Sequence, residues 1–350
     1  MSSLMNTLLK NMGSPLIVSK LEGDAIFAYA PDGSFLQGQT LLEAIENLYC
    51  LFASTLEQMH RNTTCTCKAC ELIPTLDLKF VTHHGTFILS KIGGREELSG
   101  PDVILIHRLL KSEITETTGV KAYAFFTQAC AEAMRLGELA ESMQPHTENY
   151  QHIGDVHGYV HDLYAIWDSV REQRRVVVEP QNLWFDKAQV DIPAPPALAW
   201  DYLTRPELKQ QWVMADNMQV VGLKGGRTGV GTKHHCAHGK QVSVQTIMDW
   251  RPFEYITYDT ALPLNGYCHW TMSIMPIPNG SRLTVHVGKP AGRGGLGNLI
   301  MPLLGLAAKN FVKKSFEQGR DIVRRMVEED LAAGKIVAVS SHSNLETSQL

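Results

Sequence analysis

The 350-residue chain lacks any excess of positive charge: 32 Lys and Arg stand against 36 Asp and Glu, a formal net charge of −4. That balance excludes the basic footprint with which proteins neutralise phosphates, so nucleic acid is not an expected partner. Long apolar runs are also missing. None approaches the ~18 residues that span a bilayer, and Met1 to Pro15 has no basic start, apolar middle or small-residue cleavage site of a secretory leader. A cytoplasmic location without a membrane span is therefore expected. Cysteine is sparse and odd in number, seven in all, which disfavours a disulfide framework. The loop Gly292-Arg-Gly-Gly-Leu-Gly297 lacks the Gly-Lys-Ser/Thr ending of a phosphate loop. No Ser/His/Asp or Cys/His pair is defined by spacing.

What is present divides the chain in two, as its length allows. The first half alternates strands and helices: a hairpin over 16–37, a helix over 40–60, a strand over 76–83 with its partner over 85–91, and helices over 100–112 and 127–135. Leu42, Ile45, Leu48 and Phe52 recur at helical spacing, whereas Leu76, Leu78 and Phe80 alternate as in a half-buried strand. Residues 138–175 are richer in Glu, Gln and His and read as a connection with a helix over 160–174. A long strand over 176–190 follows, then two short helices opened by prolines, and strands over 217–223, 230–237, 241–250, 253–260, 267–276 and 281–288. A long amphipathic helix closes the series near Ala333. These patterns predict an α+β protein with domains over 1–150 and 178–335, a linker over 151–177 and a polar, disordered tail over 336–350.

Several side-chain groups are candidates for chemistry. Cys65, Cys67 and Cys70, with His60 upstream, have the loop spacing of a structural zinc site; free thiols are the simpler reading. His83 and His84 are adjacent on a strand end, where successive side chains point to opposite faces. His152, His157 and His161 fall in the connecting segment. Asp24 follows Gly23 at a hairpin tip, where a carboxylate can face a cation if a second one lies nearby. In the second half, alternation places Cys268, Trp270, Met272 and Ile274 on one strand's inner face, with Leu283, Val285 and Val287, and Val242, Val244 and Met248, on two others. Trp212, Thr232, His234, Cys236 and Tyr258 add polar or aromatic contacts to that wall.

Three segments, Lys20-Leu-Glu-Gly-Asp24, Leu78-Lys-Phe-Val-Thr-His-His-Gly85 and Leu98 to Leu110, resemble the class III nucleotide cyclase homology domain. The resemblance implies a ferredoxin-like sandwich, here lacking its first strand, with Lys20 and Glu97 reading a base, Asp24 binding metal and Arg108 stabilising a transition state. It also implies loss of activity. The first metal aspartate belongs to the absent strand, and Ile104 stands where active members carry a ribose-orienting asparagine. Residues 178 to 330 resemble the START-like, or polyketide cyclase and dehydrase, superfamily through their element order and the words Val190-Asp-Ile-Pro-Ala-Pro-Pro-Ala-Leu-Ala-Trp200 and Gly229-Val-Gly-Thr232. That resemblance implies a helix-grip fold with a cavity between sheet and closing helix.

Together these features predict a non-catalytic protein that binds a small apolar molecule through Trp212, His234, Cys236, Tyr258, Trp270 and Met272. A cyclase-, aromatase- or hydrolase-like activity in the same cavity is the first alternative, and nucleotide binding by the first domain is the second. A homodimer is the expected assembly.

Overall fold

The computed structural model describes residues 2–35, 37–62, 68, 72–92, 95–173, 175–185 and 188–336. The chain divides into two compact units, one of residues 1–30 and 37–173, the other of residues 31–36 and 174–350.

In the first unit a helix α1 (Ser2–Asn11) precedes the hairpin of β1 (Ile17–Glu22) and β2 (Ala25–Tyr29). Gly23 takes φ of +65° at its two-residue turn, a conformation in which only glycine is free of strain. There follow α2 (Gly38–Asn62), β3 (Phe80–Thr82), the hairpin of β4 (Ile88–Ile92) and β5 (Arg95–Ser99), then α3 (Pro101–Leu109) and α4 (Ile114–Thr118). The unit ends with β6 (Tyr123–Thr127), α5 (Gln128–Ala133), α6 (Glu138–Glu141), the hairpin of β7 (Gln144–Tyr150) and β8 (Gly154–Asp162), and α7 (Leu163–Glu172). Leu42, Ile45, Leu48 and Phe52 are buried along α2, as their spacing predicts.

A four-stranded sheet in the order β3-β6-β8-β7 forms the centre of this unit. β3 runs parallel to β6 and the other pairs are antiparallel. Every residue of β6 is buried, which its run Tyr-Ala-Phe-Phe-Thr tolerates because a central strand meets apolar layers on both faces. Three expectations are corrected here. β4 pairs with β5 rather than with the strand before it. The segment expected to be a linker contains β8, whose Val156, Gly158 and Val160 turn inward while His157, between them, faces out; the outward half of an amphipathic strand reads as a polar connection. The ferredoxin-like sandwich is not confirmed, because the hairpins β1–β2 and β4–β5 form sheets of their own.

The second unit comprises β9 (Ala188–Ile192), α8 (Pro196–Thr204), α9 (Pro206–Trp212), β10 (Asn217–Val221), β11 (Lys233–His238), β12 (Gln241–Arg251), β13 (Tyr255–Leu262), β14 (Gly266–Ile277), β15 (Gly280–Val287), β16 (Ala291–Gly292) and α10 (Gly295–Ala332). Pro196 and Pro206 open α8 and α9, where a missing N–H leaves no helical bond unmade. The sheet order is β10-β11-β12-β13-β14-β15-β9, antiparallel throughout, with β16 added to β14. The first strand thus lies beside β15. The long strand expected over 176–190 shortens to β9. Before it, Val176 and Val178 donate their N–H groups to Asp249 Oδ2 at 2.7 Å and Thr271 Oγ1 at 2.9 Å, side chains replacing a strand ladder.

The sheet and α10 enclose one core. Trp200, Tyr202, Tyr258, Trp270, Val323 and Val327 are among its buried residues, and a fully buried valine alone contributes about 1.5–3 kcal/mol. The C-terminal end of α10 is pinned by Asp330, which accepts from Tyr202 Oη at 2.7 Å and pairs with Lys335 at 2.8 Å. This large antiparallel sheet with its long closing helix agrees with the helix-grip arrangement expected. No helix among the described residues is long and apolar enough to cross a membrane.

Candidate functional site

The second unit brings together a group of buried polar side chains that its apolar strands do not foreshadow. Lys209, in the middle of α9, is fully buried. Its Nζ lies 2.6 Å from His234 Nδ1 and 3.9 Å from the centroid of the Tyr258 ring, with Trp212 and Trp270 each 5.9 Å away. The register of the sheet supplies the rest. His234 on β11 stands opposite Gln245 on β12, which stands opposite Thr260 on β13, which stands opposite Cys268 on β14. Directly paired residues share a face, so the four make one polar row across four strands. The adjoining row is Ile247, Tyr258, Trp270 and Val287.

Part of this row is internally satisfied. Trp270 Nε1 donates to Thr260 Oγ1 at 2.9 Å, and the Cys268 thiol donates to the Gly288 carbonyl at 3.2 Å. Among the described residues, three buried atoms of these two rows have no hydrogen-bond partner: His234 Nε2, Gln245 Oε1 and Tyr258 Oη. Unmet polar atoms in an interior carry a desolvation cost of about 1–3 kcal/mol each and are uncommon in native cores.

Electrostatics separates the roles of these groups. Burial pulls the Lys209 ammonium down from its usual 10.5 to about 7, a change that the nearby Cys236 opposes. Burial, followed by the charge of Lys209, holds His234 far below the usual imidazole value, so the ring is neutral. Burial also pushes the Cys236 thiol and the Tyr258 phenol upward, leaving both protonated at neutral pH. When Lys209 is protonated it can only donate to Nδ1, and the proton of the neutral His234 ring then resides on Nε2. The unpartnered Nε2–H and Oη–H are consequently donors, and their complement is an acceptor oxygen.

All six cavity residues expected from the sequence, Trp212, His234, Cys236, Tyr258, Trp270 and Met272, are buried in this unit. The third wall differs. Val242 is 61% and Met248 37% exposed, because the inward positions of β12 are Ser243, Gln245 and Ile247, opposite Cys236, Thr260 and Tyr258, while Met248 is the extra residue of a bulge between Ile247 and Asp249. Lys209 and Gln245 were not anticipated. A lysine amid Pro-Glu-Leu-Lys-Gln-Gln reads as a solvated helix face, and only the packing of α9 against the sheet reverses that reading.

The candidates of the first unit are dispersed. Lys20 pairs with Glu22 at 2.9 Å and approaches Glu97 at 3.9 Å, so those two do meet. Asp24 stays on its exposed turn, and Arg108 donates to the Gln151 carbonyl at 3.2 Å. His83 lies between Thr127 Oγ1 at 2.9 Å and Asp102 Oδ1 at 3.4 Å, while His84 is exposed. His161 contacts Glu46 at 2.8 Å and His157 contacts Thr147 at 2.9 Å, so the histidines of that segment do not converge. His60 is exposed on α2, and Cys65, Cys67 and Cys70 lie outside the described residues. Among the described residues no group of three His, Cys, Asp or Glu is arranged to hold a metal ion.

Two surface clefts lie away from Lys209. One of about 340 Å³ is lined by Gln128, His146, His157 and Tyr159. The other, about 690 Å³, is lined by Arg282 with Asp191 and Arg324 with Glu328, charges that already pair with one another.

Comparison with known proteins separates the halves in the same way. Residues 1–118 match the family described as protein of unknown function (DUF2652). This match lends no support to a nucleotide cyclase domain. The chain is 33% identical over 146 residues to the uncharacterized protein Rv2561/Rv2562 of Mycobacterium tuberculosis, covering 42% of this chain and 66% of that protein, which is less than two thirds of its length. Among solved structures, an uncharacterized protein from Rhizobium leguminosarum is similar at 16% identity and a TM-score of 0.31, over 41% of this chain and 93% of that one. The protein of unknown function SA2116 from Staphylococcus aureus is similar at 12% identity and a TM-score of 0.34, over 42% and 94%. The segment that holds Lys209, His234 and Tyr258, residues 187–328, matches the family described as polyketide cyclase / dehydrase and lipid transport.

Proposed function

We propose that the second unit binds a small, mainly apolar molecule carrying an oxygen function, held between the sheet and α10. The observation that carries this reading is the set of three unpartnered buried atoms, His234 Nε2, Gln245 Oε1 and Tyr258 Oη, beside Lys209 in an otherwise apolar core. A carbonyl or hydroxyl oxygen would satisfy the donors, and the amide of Gln245 can present either its oxygen or its NH₂ to the same ligand. Trp212, Trp270, Met272 and Val287 would receive the hydrocarbon part, which explains why the wall is apolar except along one row. The family match over residues 187–328 supports the same reading.

Native mass spectrometry of the purified full chain, before and after incubation with a panel of fatty acids, aromatic ketones and phenols, tests it. A saturable one-to-one complex that weakens in Tyr258→Phe is expected. A chain that retains its bare mass across the panel overturns the reading.

A further inference from the structure

We infer that Lys209 is a carbonyl-capturing amine, which condenses with an aldehyde or ketone held in the second unit to form an imine. The inference rests on the ligand-binding reading above and narrows its ligands to carbonyl compounds. It starts from geometry. Nζ is enclosed by Tyr258, Trp212 and Trp270, and its polar contact is with His234 Nδ1 at 2.6 Å. Among the described residues no carboxylate pairs with this amine, and the titratable groups that face it are His234 and Cys236 of β11 and Tyr258 of β13. A lysine kept for charge would be paired with an acid. One kept for stability would be replaced at no loss by a hydrocarbon, since an ion taken from water without a counter-ion costs several kcal/mol.

An amine in apolar surroundings, in contrast, keeps its lone pair, which is the form that attacks carbonyl carbon. Burial pulls its value to about 7, so a large share of Lys209 is neutral at neutral pH. The ring faces of Tyr258, Trp212 and Trp270 favour the cation, and burial opposes it.

The groups around Nζ match the demands of the condensation. The contact with His234 Nδ1 fixes the amine's orientation, and in the tautomer protonated at Nε2 the amine donates one N–H to it. The unpartnered Tyr258 Oη–H and His234 Nε2–H are available to polarise the carbonyl oxygen. The nitrogen lone pair forms a bond to carbon while the C=O π pair moves to oxygen. A proton passes from nitrogen to that oxygen, giving a carbinolamine. Loss of the oxygen as water, with formation of the C=N bond, completes the imine. The sum is amine plus carbonyl giving imine plus water, with no change of oxidation state.

The full chain is incubated with octanal or 2-naphthaldehyde in the presence of sodium cyanoborohydride, which reduces an imine to a stable secondary amine, and the adduct is located by peptide mass mapping. One adduct per chain at Lys209, formed on the order of tenfold faster than at any other lysine, is expected. Its loss in Lys209→Met and its slowing in Tyr258→Phe would complete the support, while mapping on the unaltered chain keeps the test independent of how the variants fold. Uptake of 2-naphthol, which has the ring and an oxygen but no carbonyl, is followed in parallel by its fluorescence. Uptake of 2-naphthol with no adduct at Lys209 overturns the imine and leaves the binding reading standing. Neither uptake nor adduct overturns both.

Discussion

Nζ of Lys209 sits 2.6 Å from Nδ1 of His234, and both side chains are buried beneath the sheet of the second unit. While the amine is protonated the pair has one direction: the ammonium donates, the neutral imidazole accepts at Nδ1, and its proton lies on Nε2.

The burial of Lys209 makes stability depend on pH in a definable window. The folded value of Lys209, about 7, is below its usual 10.5, so between those limits the unfolded chain binds more protons at this residue than the folded one. Stability therefore rises with pH across that window, by up to about 1.4 kcal/mol per unit, and the slope vanishes below it. Urea unfolding of the full chain at pH 6.5 and pH 9 should show the unaltered protein gaining on Lys209→Met as pH rises. An equal response from both would mean that water reaches the amine in the native state.

Tyr258→Phe keeps the ring on which Lys209 rests and removes a buried hydroxyl that has no partner. Deleting an unmet polar atom relieves its desolvation, so the variant should be more stable by about 1 kcal/mol in the absence of ligand. The same variant should bind oxygen-bearing ligands more weakly. Thermal melts with and without ligand measure the opposed effects, and a destabilised free protein would show that the hydroxyl is already satisfied.

Gly319 lies inside α10 where a Cβ would come within 2.8 Å of the Trp212 carbonyl oxygen. Helix propensity alone favours alanine by about 1 kcal/mol. The clash is with backbone rather than with a pliable side-chain end, and forcing atoms into a packed core costs about 1–3 kcal/mol. Gly319→Ala should accordingly lower the melting temperature. A rise would mean that α10 lifts from Trp212 without penalty.

Asp249 is buried and accepts from Val176 N at 2.7 Å and Tyr255 Oη at 2.6 Å, with Arg251 Nε at 3.3 Å. Asp249→Ala removes the partners of all three groups and should cost about 3–5 kcal/mol. Asp249→Asn keeps an acceptor oxygen and should cost less. Chemical denaturation of the two variants ranks them, and equal losses would show that charge rather than hydrogen bonding holds the segment before β9.

The sequence revealed the second unit more fully than the first for reasons visible in particular residues. Alternation on β14 and β15 was legible because Trp270, Met272, Ile274, Leu283 and Val285 all face a single apolar core. On β12 the same rule failed because the inward positions, Ser243, Gln245 and Ile247, are mostly polar while the apolar Val242 and Val244 alternate with them on the other face. Lys209 was hidden for a different reason. Its burial depends on where α9 meets β11, a long-range contact that no local pattern encodes. In the first unit the hairpin turn at Gly23 was readable from chemistry, yet the parallel partnership of β3 with β6 joins segments some forty residues apart, and only the folded chain discloses it. The polar character of β7 and β8 concealed a hairpin, because the outward halves of strands look like linkers.

Residues 31–36 belong to the second unit although they are threaded between β2 and α2 of the first. Within the second unit Gly33, at φ of +78°, lies so near the Lys335 carbonyl that a Cβ would be 2.9 Å from its oxygen. The backbone therefore passes from one unit to the other three times, and no single cut yields two complete pieces. A gene fragment begun at residue 174 would encode the sheet and α10 but omit a segment that the unit takes from the other side of the chain. Residues 31–36 thus fold with the second unit although they fall within the family match over residues 1–118.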